Sequence, residues 1–405
     1  RSEESQPLVY NGILYVTTNS ATMAVDAKTG KQIWKTKVEY PPETPRIVCC
    51  GIINRGAALY DGKVFRTTLD ANVIALDAKT GKQLWKENAA NFKEGYSMTG
   101  APQIADGVVM TGVSGAEFGT RDFIDGWDAA TGKHLWRTYT IPEPTEPHGD
   151  TWPGDTWKHG GGSTWITGSF DPELHTVYWG IGNPGPFNAG VRKGDNLYTC
   201  SVLALDPKTG KIKWFFQFSP NNPFDYDSVA EMVLATVKVK GKPTKVLIDA
   251  NRNGYMYVID RTNGKPLVGI DEKPVPQEER MKTAKTQPYP VGDSFVPTCP
   301  EPDSVPPGMK EACVFGAYWD APVVIAPGTL GGISWAPMSF SPRTGLVYVP
   351  GAITNALFTL GGGFVRPTNE PRSGTLTAIN PTTNKIVWQK RMKFPIAAGS
   401  GLLST

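Results

Sequence analysis

The chain has 405 residues, of which 40% are hydrophobic, and its formal net charge at pH 7 is only +3. The small charge and the lack of long like-charged runs argue against a nucleic-acid-binding protein or a membrane-surface protein. No apolar run reaches the ~18 residues that a membrane-spanning helix needs. The 44 glycines and 35 prolines favour many short strands joined by tight turns.

One pattern recurs: a short apolar strand, then Asp, three variable residues, Gly, and Trp eight residues after the Asp. The copies that keep the tryptophan are Asp26 with Trp34, Asp77 with Trp85, Asp128 with Trp136, Asp206 with Trp214, and Asn380 with Trp388. A degenerate copy at Asp260 lacks the Trp. The Thr-Gly pair predicts a turn in which Gly takes a positive φ, and the alternating apolar residues predict flanking strands.

Repeats of about this length and content predict the blades of a β-propeller, in which each Trp packs against a neighbouring sheet. A β-sandwich with accidental similarity is the alternative, and five equal Asp-to-Trp or Asn-to-Trp spacings argue against it. We therefore expect a single propeller domain over residues 1–405, with about seven blade equivalents. A strand pair in residues 334–350 predicts a blade without the repeat signature.

The Pro- and charge-rich residues 268–320 are too polar for a blade and predict an inserted loop over the funnel. Cys299 and Cys313 bracket 13 residues of this loop and predict a disulfide, which favours an oxidising compartment. The chain begins at Arg1 without a signal peptide, so we expect a processed or truncated protein of the bacterial periplasm.

The repeats and several local motifs resemble the PQQ-dependent methanol and ethanol dehydrogenase family across nearly the whole chain. The resemblance implies an all-β, eight-bladed β-propeller of the quinoprotein type, with tryptophan-docking repeats. It also implies pyrroloquinoline quinone (PQQ) in a central funnel beside one metal ion. The first and last parts of the family's pattern are expected to be missing from this chain.

The resemblance assigns cofactor contacts residue by residue. In CCGIINRG, Cys49 and Cys50 would form a disulfide on one face of the quinone, with two free thiols as the alternative, and Arg55 would bind a quinone carboxylate. In GGGSTW, Trp165 would be the opposite floor, and a core tryptophan is the alternative. The remaining expected quinone contacts are Thr99, Ser114, Ser163, Thr164, Arg252, Ser334 and Trp335.

Metal binding and catalysis are assigned to four oxygen-bearing residues: Glu117, Asn183, Asp225 and Asp227. Asp225 matches the family's catalytic base. Members with Asp at the position of Asp227 are associated with lanthanides, since a trivalent hard cation favours another anionic oxygen ligand. The alternative to a lanthanide is a calcium ion beside a hydrogen-bonding Asp227. The alternative to a metal-binding Glu117 is a turn-exposed Glu117.

The resemblance implies oxidation of a primary or secondary alcohol to an aldehyde or ketone, by metal-assisted hydride transfer with Asp225 as base. Electrons would pass to a separate cytochrome c, because the chain has no CxxCH haem motif. A homodimer is left open. The alternative function is a non-enzymatic propeller scaffold of the outer-membrane assembly type, which has no reason to combine these site residues.

Overall fold

The computed structural model describes residues 4–48, 51–359, 373–395 and 401–405. Nearly all of its regular structure is β-strand, which confirms the predicted all-β class. The helical pieces are short: α1 (Thr44–Ile47) and 3-10 turns at Phe92–Glu94, Ala116–Phe118, Gly149–Thr151, Thr156–His159, Ala189–Val191 and Pro302–Ser304. No helix in the described ranges is long and apolar enough to cross a membrane.

The first four sheets are four-stranded antiparallel meanders. The first sheet holds β1 (Leu8–Tyr10), β2 (Ile13–Thr18), β3 (Ala21–Asp26) and β4 (Gln32–Lys37). The second holds β5 (Ala58–Tyr60), β6 (Lys63–Thr67), β7 (Asn72–Asp77) and β8 (Gln83–Asn88). The third holds β9 (Gln103–Ala105), β10 (Val108–Gly112), β11 (Phe123–Asp128) and β12 (His134–Tyr139). The fourth holds β13 (Ser169–Asp171), β14 (Thr176–Gly180), β15 (Ser201–Leu205) and β16 (Ile212–Gln217).

The second half of the chain forms less regular sheets. The fifth sheet holds β17 (Val233–Val239), β18 (Lys242–Ala250) and β19 (Met256–Asp260). Two small sheets follow, one of β20 (Ile270–Pro274) and β21 (Thr286–Pro290), the other of β22 (Lys310–Ala312), β23 (Val323–Ile325) and β26 (Ala356–Phe358). The sixth large sheet holds β24 (Ser339–Ser341), β25 (Leu346–Ile353), β27 (Ser373–Asn380) and β28 (Lys385–Met392).

The six large sheets succeed one another as propeller blades. The first strand of each blade lies beside the first strand of the next, from β5 through β9, β13 and β17 to β24. A parallel bridge from Gln6 to Gly56 joins the first blade to the second. Buried apolar clusters lie between successive sheets and form the core.

The prediction of a separate blade without the repeat signature is wrong. The two strands within residues 334–350 pair with each other, β25 pairs with β27, and β27 pairs with β28, so they are the inner half of the blade that bears Asn380 and Trp388. The described residues therefore form six blades rather than about seven. An eight-bladed ring stays a prediction.

The repeat's aspartate and glycine build the predicted turn. Asp26 Oδ1 accepts hydrogen bonds from the Lys28 N–H, the Thr29 N–H and the Thr29 hydroxyl, at 2.7–3.1 Å. The same three bonds recur at the next three copies, at Asp77, Asp128 and Asp206. The glycine that closes each turn has a positive φ, as predicted, for example 71° at Gly30.

In the first four blades the repeat's tryptophan packs on the turn of the next blade. Trp34 Nε1 donates to the Ala78 carbonyl at 3.0 Å, and a Cβ atom on Gly81 would lie 2.5 Å from Trp34 Cε3. A Cβ atom on Gly132, Gly210 or Gly264 would likewise lie 2.4–2.9 Å from an atom of the preceding blade's tryptophan. Tryptophan docking between blades is thus confirmed, and the glycine is needed both for its φ and for lack of space.

Two glycine substitutions separate these requirements. Gly30 and Gly210 have φ of 71° and 69°, but a Cβ on Gly30 meets nothing within 4 Å, whereas one on Gly210 lies 2.4 Å from Trp136 Cε3. We expect Gly30→Ala to lower the free energy of unfolding by about 1–2 kcal/mol, the cost of a left-handed L-residue. Gly210→Ala should cost a further ~1–3 kcal/mol, because the indole must move. Urea unfolding of the two variants measures the difference, and equal losses would contradict the packing role of the tryptophan.

Residues 268–320 contain the predicted disulfide between Cys299 and Cys313. Val314, Phe315 and Tyr318 pack in one buried cluster with Phe224 and Tyr226. The Tyr318 hydroxyl also donates to the Pro223 carbonyl at 3.0 Å. This segment therefore supports the stretch that bears Asp225 and Asp227, while its predicted place over the funnel stays a prediction.

Candidate active site

A cavity of about 240 Å³ is lined by the loops that lead into the first strands of the blades and by the loops between β10 and β11 and between β18 and β19. Propeller geometry explains the convergence, because every blade sends its connecting loops to the same face at the axis. Most of the predicted site residues line it: Arg55, Thr99, Ser114, Glu117, Ser163, Trp165, Asp225, Asp227, Arg252, Ser334 and Trp335.

An indole forms part of the cavity wall. The Arg55 guanidinium lies over the Trp165 ring at 4.7 Å from its centroid. Trp165 Nε1 donates to Asp227 Oδ2 at 2.9 Å, and the Thr99 hydroxyl donates to the Trp165 carbonyl at 3.4 Å. Trp165 is therefore held at both its ring and its backbone, so its plane is fixed.

Arg252 connects the two aspartates on the acidic side of the cavity. Its Nη1 lies 3.3 Å from Asp225 Oδ1 and its Nη2 lies 3.1 Å from Asp227 Oδ2. Nη2 also donates to the Ser334 hydroxyl at 3.1 Å. Burial raises the pKa of Asp225 well above its ordinary value; Arg252 opposes this, and the negative Asp227 and Glu117 add to it.

Glu117 and Asn183 contribute further oxygen atoms. Glu117 is exposed and opens into the cavity, and desolvation by the surrounding protein, followed by the charge of Asp227, raises its pKa. Asn183 is 2% exposed, and its backbone N–H donates to Asp227 Oδ1. The side-chain oxygen of Asn183 is buried without a hydrogen-bond partner.

The oxygen atoms of these groups are of the type that binds a hard cation. Carboxylate and amide oxygens are the preferred ligands of such ions, and a buried amide oxygen without a donor is suited to become one. In the structure Arg252 lies between the two aspartates. Across the described ranges, no three or more His, Cys, Asp or Glu side chains are grouped closely enough to hold a metal.

The cavity also fits a flat, anionic aromatic molecule. Trp165 offers a ring face, while the buried Nε atoms of Arg55 and Arg252 have no hydrogen-bond partner. The hydroxyls of Thr99, Ser114 and Ser163 lie on the same surface. Arginines and hydroxyls suit carboxylate and carbonyl oxygens.

Four predicted residues are not placed in the cavity wall, and one of them is Asn183, which is buried and does not line the cavity. Cys49 and Cys50 lie outside the described residues, so their disulfide stays a prediction. Thr164 does not line the cavity: its hydroxyl donates to the Phe123 carbonyl and accepts the Val113 N–H, both at 2.8 Å. Because successive residues of an extended segment face opposite sides, Thr164 points away where Ser163 and Trp165 point in.

Three residues that line the cavity were not predicted. Glu4, Ile53 and Leu330 line the cavity, and Glu4 Oε2 lies 2.7 Å from Arg55 Nη2. Ile53 belongs to the CCGIINRG motif and could have been found there, whereas Glu4 and Leu330 have no recurrent pattern.

A propeller whose cavity combines a fixed indole, two arginines and several carboxylates is the arrangement expected of a quinoprotein-type propeller domain. Residues 1–362 match the PQQ family model described as "Glucose/ethanol/alcohol dehydrogenase, beta-propeller domain". The chain belongs to this family, which confirms the resemblance.

Individual relatives of the chain are also named as alcohol or methanol dehydrogenases. The chain is 37% identical to quinohemoprotein alcohol dehydrogenase ADH IIB of Pseudomonas putida, over 100% of this chain and 60% of that protein. It is 33% identical to the lanthanide-dependent methanol dehydrogenase of Methylacidiphilum fumariolicum, over 98% of this chain and 68% of that protein. A solved structure, a europium-containing methanol dehydrogenase, superposes with a TM-score of 0.80 at 31% identity, covering 98% of this chain and 72% of that one. The chain thus spans about 60% of the length of ADH IIB.

Proposed function

We propose that this chain is the cofactor-binding part of a periplasmic, PQQ-dependent alcohol dehydrogenase that oxidises primary or secondary alcohols to aldehydes or ketones. The observation that supports it most is the convergence of Trp165, Arg55, Arg252 and the acidic groups on one cavity. The Cys299–Cys313 disulfide supports an oxidising compartment.

Arg55, Thr99, Ser114, Ser163, Arg252 and Trp165 would hold the quinone, and Glu117, Asn183, Asp225 and Asp227 would hold the cation. When bound, the quinone accepts the two electrons of alcohol oxidation and the cation polarises it as a Lewis acid. The protein supplies orientation through the fixed indole and electrostatics through its arginines.

Asp225 is the proposed acceptor of the substrate's hydroxyl proton. Its carboxyl group lines the cavity and lies 3.3 Å from Arg252 Nη1; burial raises the pKa of Asp225, which increases its affinity for a proton, and Arg252 opposes that rise. Ile53 and Leu330 supply apolar surface for the carbon chain of an alcohol.

Asp227 is the proposed determinant of the metal. We expect Asp227→Ala to weaken activation of metal-depleted protein by a light lanthanide much more than activation by calcium, because a trivalent ion loses an anionic ligand. Metal titrations of both proteins, with quinone present, measure the two activation constants. Equal weakening for both ions would contradict the assignment and favour a purely hydrogen-bonding Asp227.

Cytochrome c is the proposed electron acceptor. We expect reduction of cytochrome c only when alcohol and PQQ are both present.

The decisive experiment adds PQQ and a cation to the cofactor-free, full-length protein that contains this chain. We expect a visible quinone absorption band and reduction of an artificial electron acceptor with some members of a panel of primary and secondary alcohols. Absence of both would reject the proposal and favour the non-enzymatic scaffold of the outer-membrane assembly type.

A further inference from the structure

Asp225 has an unusual backbone conformation. Its φ is +62°, in the left-handed region that L-residues rarely occupy. Such a conformation persists where neighbouring groups hold it, and it is often found at functional sites. The groups that hold the Asp225 backbone therefore set where its carboxylate lies.

One side chain holds the peptide groups on both sides of Asp225. Asn222 Oδ1 accepts the Phe224 N–H at 2.9 Å and the Tyr226 N–H at 3.1 Å. Asn222 is 1% exposed and does not line the cavity. Arg252 Nη1 donates to the Asp225 carbonyl at 2.6 Å, so the loop is held from the cavity side as well.

Asn222 is itself fixed by a buried arginine. Arg192 Nη2 donates to the Asn222 carbonyl at 2.8 Å, and Arg192 Nη1 donates to Asn196 Oδ1 at 2.7 Å. Asn221 Nδ2 donates back to the Arg192 carbonyl at 3.1 Å. Arg192 is fully buried. These bonds anchor the loop to the layer behind the cavity.

We propose that Asn222 is a positioning residue for Asp225: by accepting the two flanking N–H groups it keeps Asp225 left-handed, with its carboxylate beside Arg252 and in the cavity. This inference rests on the proposed function. Without the acceptor, two buried N–H groups lose their partner, and relaxation of the loop turns the carboxylate away from Arg252.

The test compares Asn222→Ala, Asn222→Asp and Asn384→Ala in the full-length protein loaded with PQQ and metal. Misplacement of a reacting group by about 1 Å costs on the order of 100-fold, so we expect Asn222→Ala to lose about 100-fold in kcat. KM and the quinone absorption should change little. Asn222→Asp keeps the acceptor oxygen and should therefore retain most of the kcat that Asn222→Ala loses.

Asn384→Ala is the matched control. Asn384 is also buried, and its Nδ2 donates to the Met256 carbonyl at 2.8 Å, between two blades and away from the cavity. We expect it to lower the melting temperature without lowering kcat. Full kcat in Asn222→Ala, or an equal kcat loss in Asn384→Ala, would overturn the positioning role.

Failure of the proposed function is distinguishable, because the unsubstituted protein would then oxidise no alcohol. A crystal structure of Asn222→Ala decides the inference in that case. Departure of Asp225 from the left-handed region supports it, and an unmoved Asp225 overturns it.

Discussion

Asp225→Asn is expected to reduce kcat by about 10²- to 10⁴-fold, the contribution typical of a general base, while PQQ binding is retained. The amide has nearly the same shape as the carboxylate but cannot take up the hydroxyl proton. Stopped-flow absorbance with saturating alcohol measures turnover, and the visible spectrum measures bound quinone.

Asp249→Asn is the matched control for Asp225→Asn. Asp249 is another buried aspartate, and burial raises its pKa to about 7. It does not line the cavity, and its Oδ2 accepts from Asn251 Nδ2 at 2.9 Å, a bond that an amide oxygen can keep. We expect near-normal turnover in this variant. Full activity of Asp225→Asn would remove Asp225 from its proposed role.

Arg252→Leu is expected to lower the free energy of unfolding by roughly 3–5 kcal/mol, the cost of leaving a buried charge without its partner. Arg252 is 6% exposed and faces both Asp225 and Asp227, so its removal leaves two carboxylates uncompensated. Burial alone would lower the pKa of Arg252, but the two aspartates raise it above its ordinary value. Urea unfolding of cofactor-free protein measures the loss.

Arg280→Leu is the corresponding surface control. Arg280 pairs with Glu278 and Asp320, but it is exposed to solvent. Solvent-exposed ion pairs contribute little, so we expect the melting temperature to stay nearly unchanged. An Arg252→Leu protein as stable as Arg280→Leu would show that the aspartates do not depend on Arg252 for compensation.

The sequence was sufficient for features whose cause is local. The turn at Asp26 and the positive φ of Gly30 follow from a few adjacent residues. The indole-on-glycine contact was foreseeable because each Trp keeps a fixed distance from its turn. The sequence could not show that the strands within residues 334–350 belong to the last blade, because the pairing of β25 with β27 joins strands distant in sequence and has no local sequence signal.

The candidate active site shows the same division between features with a local cause and contacts between residues distant in sequence. The residues that resemble family motifs, such as Glu117, Trp165 and Asp225, do line one cavity. Thr164 lies between Ser163 and Trp165 in an extended segment, where alternate side chains face opposite sides, so its hydroxyl forms hydrogen bonds with Phe123 and Val113 and does not face the cavity. The contact of Glu4 with Arg55 was invisible, because it joins residues that no repeat or motif relates.

The indole-on-glycine contacts also bear on how such propellers can be recombined. Each of these contacts joins a tryptophan from one blade to a turn from the next, so a single blade does not contain both partners of any contact. A chimera that exchanges one whole blade between relatives therefore replaces one of the two partners in the contact on each side of that blade. Crossovers that keep each tryptophan with its receiving turn leave those contacts native and should preserve the packing between the parental pieces.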